Sequence, residues 1–212
     1  MIELIDVCLQ RGTFRLPETS LKIPPATCGV VTGAAGAGKT SIVEAICGLQ
    51  EIDAGTVKLR GQDVAGVTSV EREIGYLPQD VVLFPDMNVE SNIRFGPRLR
   101  GWSKSQTRDR IEELAAELEL EELLRRKPYQ LSGGQQKRVA MARAVALKPD
   151  IVCLDEPFVS LDDHSRALTK QLLKRILSDQ SATLLLVTHQ PQWLVEISDL
   201  EFRILNFEIR NQ

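Results

Sequence analysis

Three short runs carry the residue types that phosphate chemistry needs. In Gly33-Ala34-Ala35-Gly36-Ala37-Gly38-Lys39-Thr40, glycines precede a lysine and a hydroxyl. Glycines let the backbone bend so tightly that successive N–H groups point inward at phosphate oxygens, and a helix opening behind them adds the positive end of its dipole. Lys39 supplies a full charge for the terminal phosphates, while Thr40, with Ser41 beside it, offers a hydroxyl to an accompanying Mg²⁺. Ile151-Val152-Cys153-Leu154-Asp155-Glu156 places two carboxylates after four apolar residues, at the end of a strand where ligands bind in open α/β sheets. Leu131-Ser132-Gly133-Gly134-Gln135 begins a helix, so the Ser132 hydroxyl and the glycine N–H groups form a second anion site.

The elements that must hold these groups are legible as alternating strands and helices, the pattern of a parallel sheet covered by helices. Residues 2–9 and 15–23 read as an opening antiparallel pair that Pro24-Pro25 ends. Residues 28–32 form a buried strand that feeds the glycine loop, and Ile42, Val43 and Ile46 give the next segment a helical period. Short strands are expected at 56–59, 74–77, 151–155 and 183–187, with a helix over 162–177. Between Met87 and Lys127 charges rise and strands vanish, and Ile111, Leu114, Ala115 and Leu118 share one helical face. A small helical lobe of about 87–130, inserted in a single domain spanning 1–212, is the expectation.

Together and in this order the motifs resemble the nucleotide-binding subunit of an ATP-binding cassette (ABC) transporter, along essentially the whole chain. The first is a full match to the G-x-x-x-x-G-K-[ST] pattern of P-loop nucleotide triphosphatases. The resemblance implies a P-loop core with a parallel sheet, an N-terminal antiparallel β subdomain and the inserted α-helical lobe. It also implies ATP and Mg²⁺ as ligands, with Asp155 holding the metal through water and Glu156 acting as general base. Gln79 falls at the family's Q-loop, reaching Mg²⁺ and the γ-phosphate side, and His189 at its γ-phosphate switch. Ser160-Leu161-Asp162 matches the D-loop. Ser132 to Gln135 would meet the γ-phosphate held by the opposite subunit, so two ATP molecules lie between head-to-tail partners. A homodimer, or a pair with a similar ATPase subunit, follows.

Two positions depart from the family pattern. Its adenine-stacking aromatic would fall near Arg11, and the nearest aromatic is Phe14, which leaves three alternatives: Arg11 stacks by its guanidinium plane, Phe14 substitutes, or the base is loosely held. Gln190-Pro191 follows His189 where many importer subunits carry an acid. The stretch Leu83 to Val89 most resembles importer subunits for oxyanions, polyamines and sugars. That likeness implies integral membrane permease subunits as partners, with a solute-binding protein beyond them. The apolar run Val81-Val82-Leu83-Phe84-Pro85 either docks the permease or packs under the helical lobe.

Composition narrows the alternatives. A net charge of -3 with 26% charged residues provides no basic field for nucleic acid. No apolar run approaches membrane-spanning length, so the expected place is the cytoplasm, at the inner face of the membrane through partner subunits. Cys8, Cys28, Cys47 and Cys153 are scattered without C-x-x-C spacing, which fits reduced, buried thiols rather than a metal site. A P-loop nucleotide kinase would explain residues 33–40 but leave Leu131–Gln135 and His189 without a role. A non-transport ABC ATPase of the DNA-repair or translation type would carry long coiled coils or two motif sets, and the sequence has neither.

Overall fold

The computed structural model describes residues 1–12, 14–193, 196–205 and 208–211. In chain order these form β1 (Ile2–Arg11), β2 (Phe14–Ile23), β3 (Cys28–Gly33), α1 (Lys39–Cys47), β4 (Ala54–Leu59), β5 (Gln62–Asp63) and β6 (Gly75–Leu77). Then follow α2 (Val89–Leu99), α3 (Lys104–Glu117), α4 (Gly133–Val145), β7 (Ile151–Asp155), α5 (Asp163–Gln180), β8 (Thr183–Thr188), β9 (Leu200–Leu205) and β10 (Glu208–Asn211). The strands make two sheets, an antiparallel one ordered β2-β1-β4-β5 and a second ordered β10-β9-β3-β8-β7-β6. All pairings in the second are parallel except that of β10 with β9.

Alternation along the central strands divides the interior in two. Ile151 and Cys153 of β7 face a core shared with α1 and the antiparallel sheet, whereas Val152 and Leu154 face the helices α2 to α5. A strand covered on both faces must be apolar throughout, which is why 151–154 reads as an unbroken hydrophobic run. Register then sets the site. Thr32 pairs with Thr188 and Asp155 with Val187, so the glycine loop, the two acids and His189 all leave the sheet at the carboxyl ends of its parallel strands.

Side-chain caps fix where the helices begin. Asn88 caps α2 by accepting from Ser91 N at 2.9 Å, and Ser103 starts α3 in a reciprocal pair with Gln106. Each such cap contributes about 1 kcal/mol. The short strands β9 and β10, which the sequence reading did not anticipate, extend the parallel sheet beside β3. Cys28, Cys47 and Cys153 are buried free thiols, but Cys8 is only half-buried, because it lies on the β1 face opposite the inward-pointing Val7 and Leu9. Leu83 is buried and its neighbour Val82 is 67% exposed, so only part of the 81–85 run packs under the helical lobe.

Candidate active site

Gly36 and Gly38 adopt φ of +77° and +92°, and a Cβ on Gly38 would lie 2.6 Å from the Phe14 ring. Gly33 has an ordinary φ; its lack of a side chain instead lets Ile204 approach. The loop thus bends at two of its three glycines. Lys39, 8% exposed, folds back to donate to the carbonyls of Gly33 and Ala34 at 2.9 and 3.0 Å.

Behind the loop, the Thr40 hydroxyl donates to Asp155 Oδ2 at 2.6 Å. Asp155 is 1% exposed, and its Oδ1 is buried with no donor among the described residues. Burial first, and the Glu156 charge after it, push the Asp155 carboxyl above its ordinary range, while Thr40 and the cations of Lys39 and Lys137 pull the other way. An orphaned carboxylate oxygen beside a hydroxyl fits a Mg²⁺ ion brought in with phosphate oxygens, which suits a metal that keeps much of its own water. Among the described residues no cluster of three or more His, Cys, Asp or Glu could hold a metal without a nucleotide.

Glu156 occupies a left-handed turn, φ +48°. Its Oε2 accepts from Thr188 Oγ1 at 2.8 Å, and its Oε1 accepts from the His189 backbone N–H at 3.0 Å and lies 2.6 Å from His189 Nδ1. From below, the buried ammonium of Lys137 on α4 donates to the Glu156 carbonyl at 2.7 Å. Its burial lowers the Lys137 pKa, against the charges of Asp155, Glu156 and Asp80. Sequence reasoning missed Lys137, although a signal existed: it shares one stripe of α4 with Met141 and Val145, where a lone cation is out of place.

These groups enclose a cleft of about 540 Å³ lined by Arg11, Phe14, Ala35, Gly36, Gly38, Lys39, Thr40, Ser41, Gln79, Asp155, Glu156, Val159 and His189. Arg11 and Phe14 both reach it, and Arg11 is tied to Glu44 at 2.6 Å. Ser132, Gly133, Gly134, Gln135 and Asp162 do not line this cleft. Ser132 and Gln135 cap α4 reciprocally, at 3.2 and 2.9 Å, and the helix start leaves its first N–H groups without intrahelical acceptors. Asp162 caps α5 by accepting from Ser165 N at 2.8 Å.

A glycine loop with its lysine, a hydroxyl–carboxylate pair and a capped helix start outside their cleft are thus held on one sheet and its helices. The family model described as ABC transporter matches residues 16–159. The chain belongs to the ABC transporter family. Among relatives, this ABC chain is 35% identical to the molybdate/tungstate import ATP-binding protein WtpC of Pyrococcus horikoshii, over 94% of this chain and 58% of that protein. It is 37% identical to the sulfate/thiosulfate import ATP-binding protein CysA of Synechocystis, over 92% of this chain and 55% of that one. The chain therefore spans a little over half the length of these relatives. Among solved structures, a dimeric post-hydrolysis state of the ATP-binding cassette MJ0796, bound to ADP and phosphate, superposes with a TM-score of 0.90 at 27% identity, covering 100% of this chain and 98% of that one. The ABC cassette fold, with its parallel sheet, antiparallel sheet and helices, is therefore this chain's fold.

Proposed function

We propose that this chain is an ATP-hydrolysing subunit of an ABC importer and forms one cassette over 1–212, with the helical lobe at about 87–130. The observation that carries the reading is the division of the phosphate-binding groups. Lys39, Thr40, Asp155, Glu156, Gln79 and His189 share one cleft, while the Ser132–Gln135 helix start lies outside it. A second copy, placed head to tail, supplies the missing anion site and completes two ATP sites at the interface.

In that arrangement the N–H groups of residues 33–38 and the Lys39 ammonium hold the phosphates, and Thr40 and Asp155 would hold Mg²⁺, with Gln79 on the γ-phosphate side; the ion would supply positive charge to the phosphates. Glu156 takes the proton of the attacking water on its carboxylate, and Thr188 and His189 hold that carboxylate in place.

Transport requires a membrane partner, since no helix among the described residues is long and apolar enough to cross a bilayer. The surface suited to one is a groove of about 850 Å³ whose apolar lining includes Val70, Phe95, Leu99 and Trp102. Val70 and Leu99 are 74% and 71% exposed. We assign it, together with the exposed Val82 beside Phe84, to a helix of a permease subunit. Phe95 of the groove packs on Phe84 with centroids 4.5 Å apart, and that contact connects the docking surface to the segment after Gln79. Through such a partner the chain sits at the inner face of the membrane, with a solute-binding protein on the far side. The named relatives favour an oxyanion as the cargo.

Mixing two defective chains tests the composite site. Lys39→Ala loses the cradle and Ser132→Arg blocks the second anion site, so neither turns over ATP alone. A mixture contains heterodimers with one intact site and regains activity. No gain on mixing removes the shared-site reading.

A further inference from the structure

Gln190 stands where the family pattern led us to expect an acid, and its surroundings give it a specific task. Its side chain lies between two rings. Trp193 Nε1 is 3.0 Å from Gln190 Oε1, and Gln190 Nε2 is 3.2 Å from His189 Nε2. An indole N–H can only donate, so whichever end of the amide faces Trp193 must be the oxygen. The NH₂ end is thereby turned to His189. An amide NH₂ can only donate, so His189 Nε2 must present a lone pair, and the ring proton must sit on Nδ1, the nitrogen 2.6 Å from Glu156 Oε1. A doubly protonated imidazole would set N–H against N–H at Gln190.

Trp193 is itself fixed. The Arg166 guanidinium lies 4.3 Å from its ring centroid and donates to the Leu161 carbonyl at 2.6 Å, within the Ser160–Asp162 segment. We propose that Gln190 and Trp193 are positioning residues that hold His189 as the neutral Nδ1–H tautomer, donating to Glu156 with its outer nitrogen an acceptor. This rests on the reading of Glu156 and His189 as catalytic. An acid at 190 would do the opposite, drawing a proton to Nε2.

Nitrogen-15 spectra of the full chain labelled at histidine test it directly, because the sequence holds only two histidines and His164→Gln removes the other set of signals. The unaltered chain should show a protonated Nδ1 and a lone-pair Nε2. Trp193→Phe keeps a ring face for Arg166 but removes the N–H that orients the amide, so both tautomers should appear. Gln190→Glu should move the proton to Nε2. Both substitutions should lower kcat about tenfold, the usual cost of losing a group that fixes an imidazole, with little change in KM for ATP. A proton on Nε2 in the unaltered chain, or variant spectra that match it, overturns the assignment. Shifted spectra with unchanged kcat overturn the positioning role. Normal turnover by Glu156→Gln would instead refute the catalytic reading, leaving the tautomer measurement to stand separately.

Discussion

The Thr40 hydroxyl donates to Asp155 Oδ2 at 2.6 Å, bridging 115 positions of sequence. This bond joins the helix behind the glycine loop to the last residue of β7, and leaves Asp155 Oδ1 buried without a donor among the described residues. Folding alone has no use for such an oxygen.

Asp155→Asn should therefore raise the melting midpoint of the nucleotide-free chain. With its pKa raised by burial, the folded carboxyl binds its proton more tightly than the unfolded one. It thus favours folding below the unfolded value and loses that advantage as pH climbs through the folded value. Neutral pH lies on the unfavourable side. A gain of about 1 kcal/mol corresponds to roughly 2–4 °C in a chain of this size, and it should shrink in acid. The same variant should lose the extra stabilisation that Mg²⁺ gives to ATP binding, which chelation removes from the unaltered chain. Thermal melts with ATP, with and without chelator, check both.

Glu156→Gln should retain ATP binding and lose turnover by about 10²- to 10⁴-fold, the usual worth of a positioned base. Phosphate release measured beside nucleotide binding distinguishes loss of chemistry from loss of affinity. Near-normal release would move the base elsewhere.

The trapped Glu156→Gln chain should dimerise on ATP, and adding Ser132→Arg should keep it monomeric while ATP still binds. The site is exposed, so the arginine fits without unfolding α4, though loss of the cap costs about 1 kcal/mol. Light scattering reads the mass, and a dimer of the double variant would contradict the head-to-tail arrangement.

Adjacent residues should behave oppositely in the 81–85 run. Leu83→Ala should cost about 2–5 kcal/mol, because it opens a cavity in the core beneath the lobe. Val82→Glu should leave stability within about 0.5 kcal/mol and weaken co-purification with the permease. Denaturant midpoints and pull-down yield separate them; an unfolded Val82→Glu would deny that residue a surface role.

The contrast between Leu83 and Val82 shows where sequence stops being informative. The glycine loop, the apolar β7 run and the start of α4 at Ser132 are local, so spacing and residue type suffice to read them. The orientation of residues 81–85 is not local. It is set by buried Asn92, which accepts from Phe84 N at 2.9 Å and donates to the carbonyls of Phe84 and Met87 at 3.2 and 3.1 Å. Lys137 was legible only in part: its place on the Met141 and Val145 stripe marks a buried cation, but its partner, the Glu156 carbonyl, lies 19 positions away and could not be read locally. Strand β9 was overlooked although Leu200-Glu201-Phe202-Arg203-Ile204 alternates apolar and charged residues, the period of a half-buried strand, and its pairing with β3 buries Phe202 and Ile204.

The strand order has a consequence for how the chain is made. β3 lies between β8 and β9, so the strand that ends in the glycine loop is made early yet finds its two neighbours only once residues 183–205 have followed. The β1–β2 hairpin and the α2–α3 helices close over short loops, while Cys28, Val30 and Val31 must wait, apolar and unpaired. Until β8 arrives, this apolar strand has both of its edges unpaired, the condition under which strands pair with the wrong partner.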